Sequence, residues 1–192
     1  MTACNDQYQD EYGATYCKNC PAGHICDSVS RTKCTPQSEG RNYYCPGGAV
    51  SVGSFDCGGG TYNFVDGSTS SADCWTCPPG WFCPTNAADP TEKIQICTAG
   101  YYCLEGTETP VICPTGYYCP EGTNIPVPCP HGYYGDTTGL YTSACSGPCS
   151  AGYYCEITYL SLNSWDDASL CIGENYLNCP IGSTSPTQYN CP

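Results

Sequence analysis

Basic residues run out before the middle of this chain. Lys18, Arg31, Lys33, Arg41 and Lys93 are the only five, and the 99 residues after Lys93 hold eight acids and no Lys or Arg. At a net charge of −13, the surface repels nucleic acid and anionic membrane. Histidine is equally scarce. His24 and His131 are the only two, and each stands at a variable place in a repeated phrase (PAGHI, CPHGYY), where a surface or packing role suits it better than a base beside a nucleophile. Aliphatic mass is short as well: Leu, Ile, Val and Phe together number 23 of 192 residues. Below roughly 20 % a highly charged chain cannot offset its conformational entropy by burial and stays disordered unless something else holds it. No Asn-x-Ser/Thr acceptor exists, so N-glycans are not expected. The start, MTACNDQYQD, has no basic and apolar leader, and no apolar run reaches bilayer length. The expectation is a mature segment, or part of a longer chain, with no direct membrane insertion.

What is abundant is cysteine. The chain has 21, together with 39 glycines and prolines and 18 tyrosines. Cysteine above roughly 8–10 % marks a disulfide scaffold, and each bridge contributes on the order of 2–4 kcal/mol by restricting the unfolded chain. Such bridges need an oxidising compartment, which predicts an extracellular or cell-surface protein. Gly and Pro interrupt every helical pattern. The expected fold is small and disulfide-rich: elongated tandem cysteine-rich modules of short β-hairpins and loops, with almost no helix. A single turn capped by Ser164, with Leu162 and Trp165 as its apolar contacts, is the one helical expectation.

The organising text is CTAGYYC-LEGTETPVI-CPTGYYC-PEGTNIPVP-CPHGYY, from Cys97 to Tyr134. Cys97, Cys113 and Cys129 lie 16 residues apart, each followed by a glycine and a tyrosine pair. The first two units close on Cys103 and Cys119, and the third has Gly135 in that place. A short period implies stacked units that cannot bury a core singly. One tyrosine of each pair is expected to cover the preceding disulfide, the other to face solvent or a neighbour. A longer repeat is superposed: Gly-x-Tyr, a Gly67 or Gly139 turn, a Ser/Thr cluster, then CWTCPPGWFC or CSGPCSAGYYC. The expected boundaries are a module at 1–56, a second at 57–103, a short repeat spacer at 104–128, and a third module with the start of a further repeat at 129–192.

All of Cys4, Cys17, Cys20, Cys26, Cys34, Cys45, Cys57, Cys74, Cys77, Cys83, Cys97, Cys103, Cys113, Cys119, Cys129, Cys145, Cys149, Cys155, Cys171 and Cys179 are expected in disulfides. Cys191 or Cys4 is left free or intermolecular, because 21 is odd. Two pairings compete. One joins the cysteine after each aromatic doublet to the next cysteine: Cys26–Cys34, Cys45–Cys57, Cys83–Cys97, Cys103–Cys113, Cys119–Cys129 and Cys155–Cys171. It treats matching text identically, but forces Cys17/Cys20, Cys74/Cys77 and Cys145/Cys149 into tight loops. The other reads three six-cysteine modules paired 1–2, 3–5, 4–6, such as Cys57–Cys74, Cys77–Cys97 and Cys83–Cys103, with Cys129–Cys145 in the third and Cys113–Cys119 as a spacer bridge. The missing cysteine at Gly135 implies that Cys129 has a partner other than the residue six places on, and the expectation drawn from it is that the C-x5-C phrases are joints linking one unit to the next and not self-closing rings.

The second spacing resembles the cysteine-rich domains of tumour-necrosis-factor receptors. The phrases CPxGYYCPxGT…CP and Gly-x-Tyr…Ser-x-Cys-x-x-Cys-Pro resemble more closely the ephrin-receptor-like cysteine-rich repeat, over most of residues 17–155. The resemblance implies a secreted disulfide module of the kind found in tandem in protist and algal surface proteins. It implies no catalytic residues, since such modules serve as stalks, receptors and fibre subunits alike.

Other chemistry weighs little. The CxxC pairs have zinc-like spacing, but an oxidising compartment and 21 cysteines favour disulfides. Gly58–Gly60 precedes no helix and no Lys, so it is no phosphate loop. Asp166/Asp167 lack the remaining ligands of a calcium loop and read as solvated. Thr107, Thr109, Thr123, Ser183, Thr184, Ser185 and Thr187 lie near prolines and are candidate O-glycan acceptors. The tyrosines mostly cover disulfides; an exposed row of them would stack on sugars or form subunit contacts. The reading is an extracellular structural protein, not an enzyme and without cofactor. It is expected to be a subunit of a fibrous surface assembly, for example a flagellar hair of a protist, that meets copies of itself head to tail. The alternative is a receptor or adhesion stalk that binds a protein ligand.

Overall fold

The computed structural model describes residues 7–9, 16–35, 43–49, 55–85, 93–151, 153–155, 169–170 and 181–183. Sixteen two- or three-residue strands form eight antiparallel hairpins: β1 (Gln7–Tyr8) with β2 (Lys18–Asn19), β3 (His24–Cys26) with β4 (Arg31–Lys33), β5 (Thr61–Tyr62) with β6 (Trp75–Thr76), β7 (Trp81–Phe82) with β8 (Gln95–Ile96), β9 (Tyr101–Tyr102) with β10 (Val111–Ile112), β11 (Tyr117–Tyr118) with β12 (Val127–Pro128), β13 (Tyr133–Tyr134) with β14 (Gly147–Pro148), and β15 (Tyr153–Tyr154) with β16 (Ser169–Leu170). Among the described residues the only helical element is a 3-10 turn, Ser71–Asp73. The fold is therefore small, hairpin-based and disulfide-rich. The turn expected at Ser164 lies outside the described residues.

The hairpins that begin at β5, β7, β9, β11, β13 and β15 start from the same local event. In CPTGYYC, Tyr117 N–H donates to Pro114 O (3.3 Å) across a turn with Gly116 at φ +80°. A positive φ at the third turn position favours glycine, which has no Cβ to clash. The turn brings the two flanking cysteines face to face, with Cα atoms 5.9 Å apart in Cys113–Cys119. The residues after the turn, most often an aromatic pair, run out as a strand and meet the residues just before the cysteine that opens the next rung.

The chain divides into two compact units, Met1–Gln95 with Glu105–Thr109, and Ile96–Leu104 with Pro110–Pro192. Neither has one large apolar core. The buried residues gather in small groups around bridges: Cys34, Cys45, Tyr43 and Ala49 with Ile25; Tyr8 with Cys20 and Cys26; Cys149 and Cys155 with Tyr134. Tyr134 thus packs on the bridge that follows it, correcting the expectation of the preceding one.

The disulfides also correct the expected pairings. Cys20–Cys26, Cys77–Cys83, Cys97–Cys103, Cys113–Cys119 and Cys149–Cys155 each span six residues. The C-x5-C phrases are self-closing rings, not joints, because the glycine turn brings its own two cysteines together before either meets another. The chain-wide frame of neighbour bridges fails throughout the described residues. Of the six-cysteine frame's bridges between described residues, Cys57–Cys74, Cys129–Cys145 and Cys113–Cys119 stand, beside Cys34–Cys45, which neither frame contained; its Cys4–Cys17 bridge involves a residue outside the described ones. Cys17 is disulfide-bonded too. Cys4, Cys171, Cys179 and Cys191 lie outside the described residues.

Candidate functional site

The feature that recurs most closely is a set of backbone hydrogen bonds that stitches neighbouring rungs together within each compact unit. Cys113 N–H donates to Gly100 O (2.9 Å), and Gly100 N–H donates to Cys119 O (2.8 Å). The turn glycine of one ring therefore bridges both cysteines of the next. A second turn, after the ring, reaches back: Gly122 N–H donates to Cys97 O (2.8 Å), and Cys103 N–H donates to Thr123 O (2.9 Å). The same four bonds join Cys20–Cys26 to Cys34–Cys45, through Gly23 and through Gly48 and Ala49. They also join the Cys113–Cys119 ring to the rung that begins at Cys129, through Gly116 and through Gly139 and Leu140. Gly132 makes the first two of these bonds to Cys149 and Cys155, and Gly182 and Ser183 make the second two to the same ring.

The stitch fixes two glycines per rung. A Cβ on Gly100 would stand 2.7 Å from Gly139 O, and one on Gly60 would stand 2.2 Å from Gly106 O. Both glycines also hold positive φ. The residue before each ring lies over the next second-turn glycine: Ile96 Cδ1 comes within 3.4 Å of a Cβ built on Gly122, and Ile112 Cδ1 within 3.7 Å of one on Gly139.

Two rungs do not close on themselves. Six residues after Cys129 stands Gly135, and six after Cys57 stands Asn63; their bridges run instead to Cys145 and Cys74. Gly135 still takes the closing cysteine's place in the stitch, its carbonyl accepting from Gly116 N–H at 2.7 Å. A Cβ there would lie 2.9 Å from Cys129 Sγ, where a closing sulfur would be needed. Asn63 is buried, and its amide donates to Tyr43 O (2.9 Å) while its oxygen accepts from Val65 N–H (2.8 Å). Loop-closure entropy is roughly 2.5 kcal/mol for a six-residue separation and roughly 3 for sixteen. Redirecting the bridge therefore changes stability little.

The candidate glycan acceptors separate cleanly. Thr123 and Ser183 are buried in the second turn, with Thr123 Oγ1 donating to Pro120 O (2.5 Å). They are withdrawn, because a buried turn hydroxyl cannot carry a sugar in the folded chain. Thr107 is half-buried in the same turn position, and Thr109 is exposed. Thr184, Ser185, Thr187 and the Asp166/Asp167 pair lie outside the described residues. His24 is half-buried, with Nδ1 3.3 Å from Ala22 O, and His131 is exposed. Among the described residues no group of three His, Cys, Asp or Glu side chains converges as a metal site, and no helix is long and apolar enough to cross a membrane.

Two features were not foreseen. Lys93 is buried, and its amine donates to Thr85 O (2.7 Å). Burial holds its pKa below the usual lysine range, against the opposing charges of Asp56 and Glu108. Glu108 in turn accepts from Thr85 Oγ1, so the group ties the Thr85 and Lys93 segments together. The second feature is an aromatic cluster: Tyr62 lies 5.2 Å from Phe64 and 5.9 Å from Trp75, with Trp75 56 % exposed. The i, i+2 spacing of Tyr62 and Phe64 was the only sequence signal for it. No family model matches the chain, and no curated protein matches it.

Proposed function

We propose that this chain is an extracellular structural protein, a subunit of a disulfide-stabilised fibrous surface assembly such as a flagellar hair, and not an enzyme. The observation that carries the proposal is the stitch. The same backbone bonds recur from rung to rung although the side chains and even the bridges change. A repeat that spends its glycines and cysteines on joining copies of itself suits a load-bearing element. The eight bridges among the described residues need an oxidising compartment, which supports the extracellular location. The resemblance of CPTGYYC to ephrin-receptor-like repeats supports the same reading. Contacts between copies that do not close into a ring would give a filament.

Electron microscopy of the oxidised chain at increasing concentration tests it. Filaments or regular bundles are expected, and a discrete monomer at every concentration contradicts it. A second reading, an adhesion stalk, is favoured by the exposed Phe64 and Trp75, which pack on the half-buried Tyr62, because exposed aromatics anchor protein contacts.

A further inference from the structure

Residues directly opposite each other in an antiparallel pair share a face. The pairings Ile112↔Tyr101, Tyr117↔Pro128 and Tyr133↔Pro148 therefore give the equivalent face of three successive hairpins in the second compact unit. Tyr101 is 38 % exposed, Ile112 48 % and Tyr133 38 %, and Pro128 and Pro148 are exposed as well. The strands from β9 to β14 contain no charged residue. In the first compact unit the equivalent pairs Gln7↔Asn19, His24↔Lys33 and Thr61↔Thr76 are polar, while Trp81, at the same place in β7, is 39 % exposed. There β4 (Arg31–Lys33) is exposed along its whole length.

We infer that the Tyr101/Ile112, Tyr117/Pro128, Tyr133/Pro148 ladder is a docking surface for a second copy of this chain, which lays its β4 end along it. Two observations select that occupant. The ladder repeats at the spacing of the rungs, and another copy carries rungs at the same spacing. The charges are also complementary: the second compact unit holds the exposed carboxylates Glu121 and Asp136 and has no Lys or Arg, while Arg31 and Lys33 lie on an exposed strand of the first. Two chains each of charge −13 repel overall. A staggered overlap sets the uncharged ladder and its acidic surroundings against the Arg31–Lys33 strand, a local basic patch on a unit that is itself net acidic, with ten acids and five bases through Lys93. Apolar contact supplies affinity, and the charges set the stagger.

This inference rests on the filament reading. The test is sedimentation velocity of the oxidised full chain over a concentration series, at low and high salt. Ile112→Glu/Tyr133→Glu is compared with Val111→Glu/Val127→Glu, which places the same charges on the opposite face of neighbouring strands. The ladder variant is expected to weaken association by about tenfold or more, as for central contacts of an interface. The opposite-face variant should leave it near wild type. Lys33→Glu and added salt should each weaken it several-fold. Thermal melting of each variant separates lost docking from lost folding. Wild-type assembly that the ladder variant matches overturns this inference alone and leaves the filament reading standing; so does equal loss from both faces. Wild type that never associates overturns the filament reading as well. Capture of an added polysaccharide or proline-rich peptide by the ladder, with no self-association, would assign it to another ligand and likewise overturn the inference.

Discussion

The rungs that begin at Cys113 and at Cys129 have nearly the same text and different bridges. The first closes on Cys119, six residues on, and the second on Cys145, sixteen residues on. Yet Cys119 and Gly135 both offer a carbonyl to the preceding turn glycine, at 2.8 and 2.7 Å. In the first compact unit Asn63 stands at the same place and reaches Tyr43 with its side chain. The backbone stitch defines the rung, and the sulfur, the amide or the bare glycine only completes it. This is why the repeat tolerates such different closing residues while its turn glycines are fixed by both φ and close approach.

Breaking what the two rungs share has the largest expected effect. Gly100→Ala puts a Cβ 2.7 Å from Gly139 O at a residue with φ +87°. A loss of about 3 kcal/mol or more is expected in denaturant unfolding of the oxidised chain, from backbone strain, overpacking and lost stitch bonds together. Next comes Asn63→Ala. It leaves the buried Tyr43 carbonyl without its side-chain donor and should cost about 1–3 kcal/mol in the same measurement. Gly135→Cys converts the open rung into a closed one. Mass mapping without reduction should then show Cys129 bonded to residue 135 and Cys145 released as a thiol, with stability changed by less than about 1 kcal/mol because the loop terms nearly cancel.

The smallest expected effect is electrostatic and belongs to the β3–β4 turn. Asp27 accepts from Val29 N–H (2.8 Å), Ser30 N–H (2.7 Å) and Ser30 Oγ (2.8 Å). The Val29 backbone bond, then the Ser30 bonds, hold its pKa below the ordinary aspartate value. Its contribution is therefore present above the unfolded aspartate pKa and is lost as pH falls through the lower folded one. Asp27→Asn should remove that part of the acid-dependent loss of stability, seen as a flatter melting temperature against pH on the acid side. The turn is exposed, so the change is small.

Much of this was legible in the residues. The 16-residue period, the turn glycines and the short tyrosine strands all follow from CPTGYYC and its copies. The pairing was not, because both frames use the same equivalent cysteines and text cannot say which of two neighbours a turn brings closer. Gly135 correctly pointed to a distant partner for Cys129. Extending that inference to every ring failed, since Gly135 and Asn63 are exceptions to a closing rule that the other rings obey. The second turn was readable throughout and was read only in part, at Gly67 and Gly139. Gly48-Ala49, Gly67-Ser68, Gly106-Thr107, Gly122-Thr123 and Gly182-Ser183 recur as a glycine followed by a small residue, and the hydroxyls that suggested glycans are turn residues there. The Lys93 group depends on contacts between segments far apart in sequence, which no local pattern encodes; an exposed tyrosine row was readable from the repeat, but not the Ile112, Pro128 and Pro148 partners that pair with it.

The most direct measurement is non-reducing chymotryptic mapping of the native chain around Cys113 and Cys119, a region trypsin cannot cut after Lys93. Self-closing rungs predict a disulfide between Cys113 and Cys119, recovered as the Cys113 peptide joined to the 119–133 peptide, which also carries Cys129 and through it the Cys145 peptide. A map in which Cys119 is bonded to Cys129, and Cys113 to Cys103, would contradict the account.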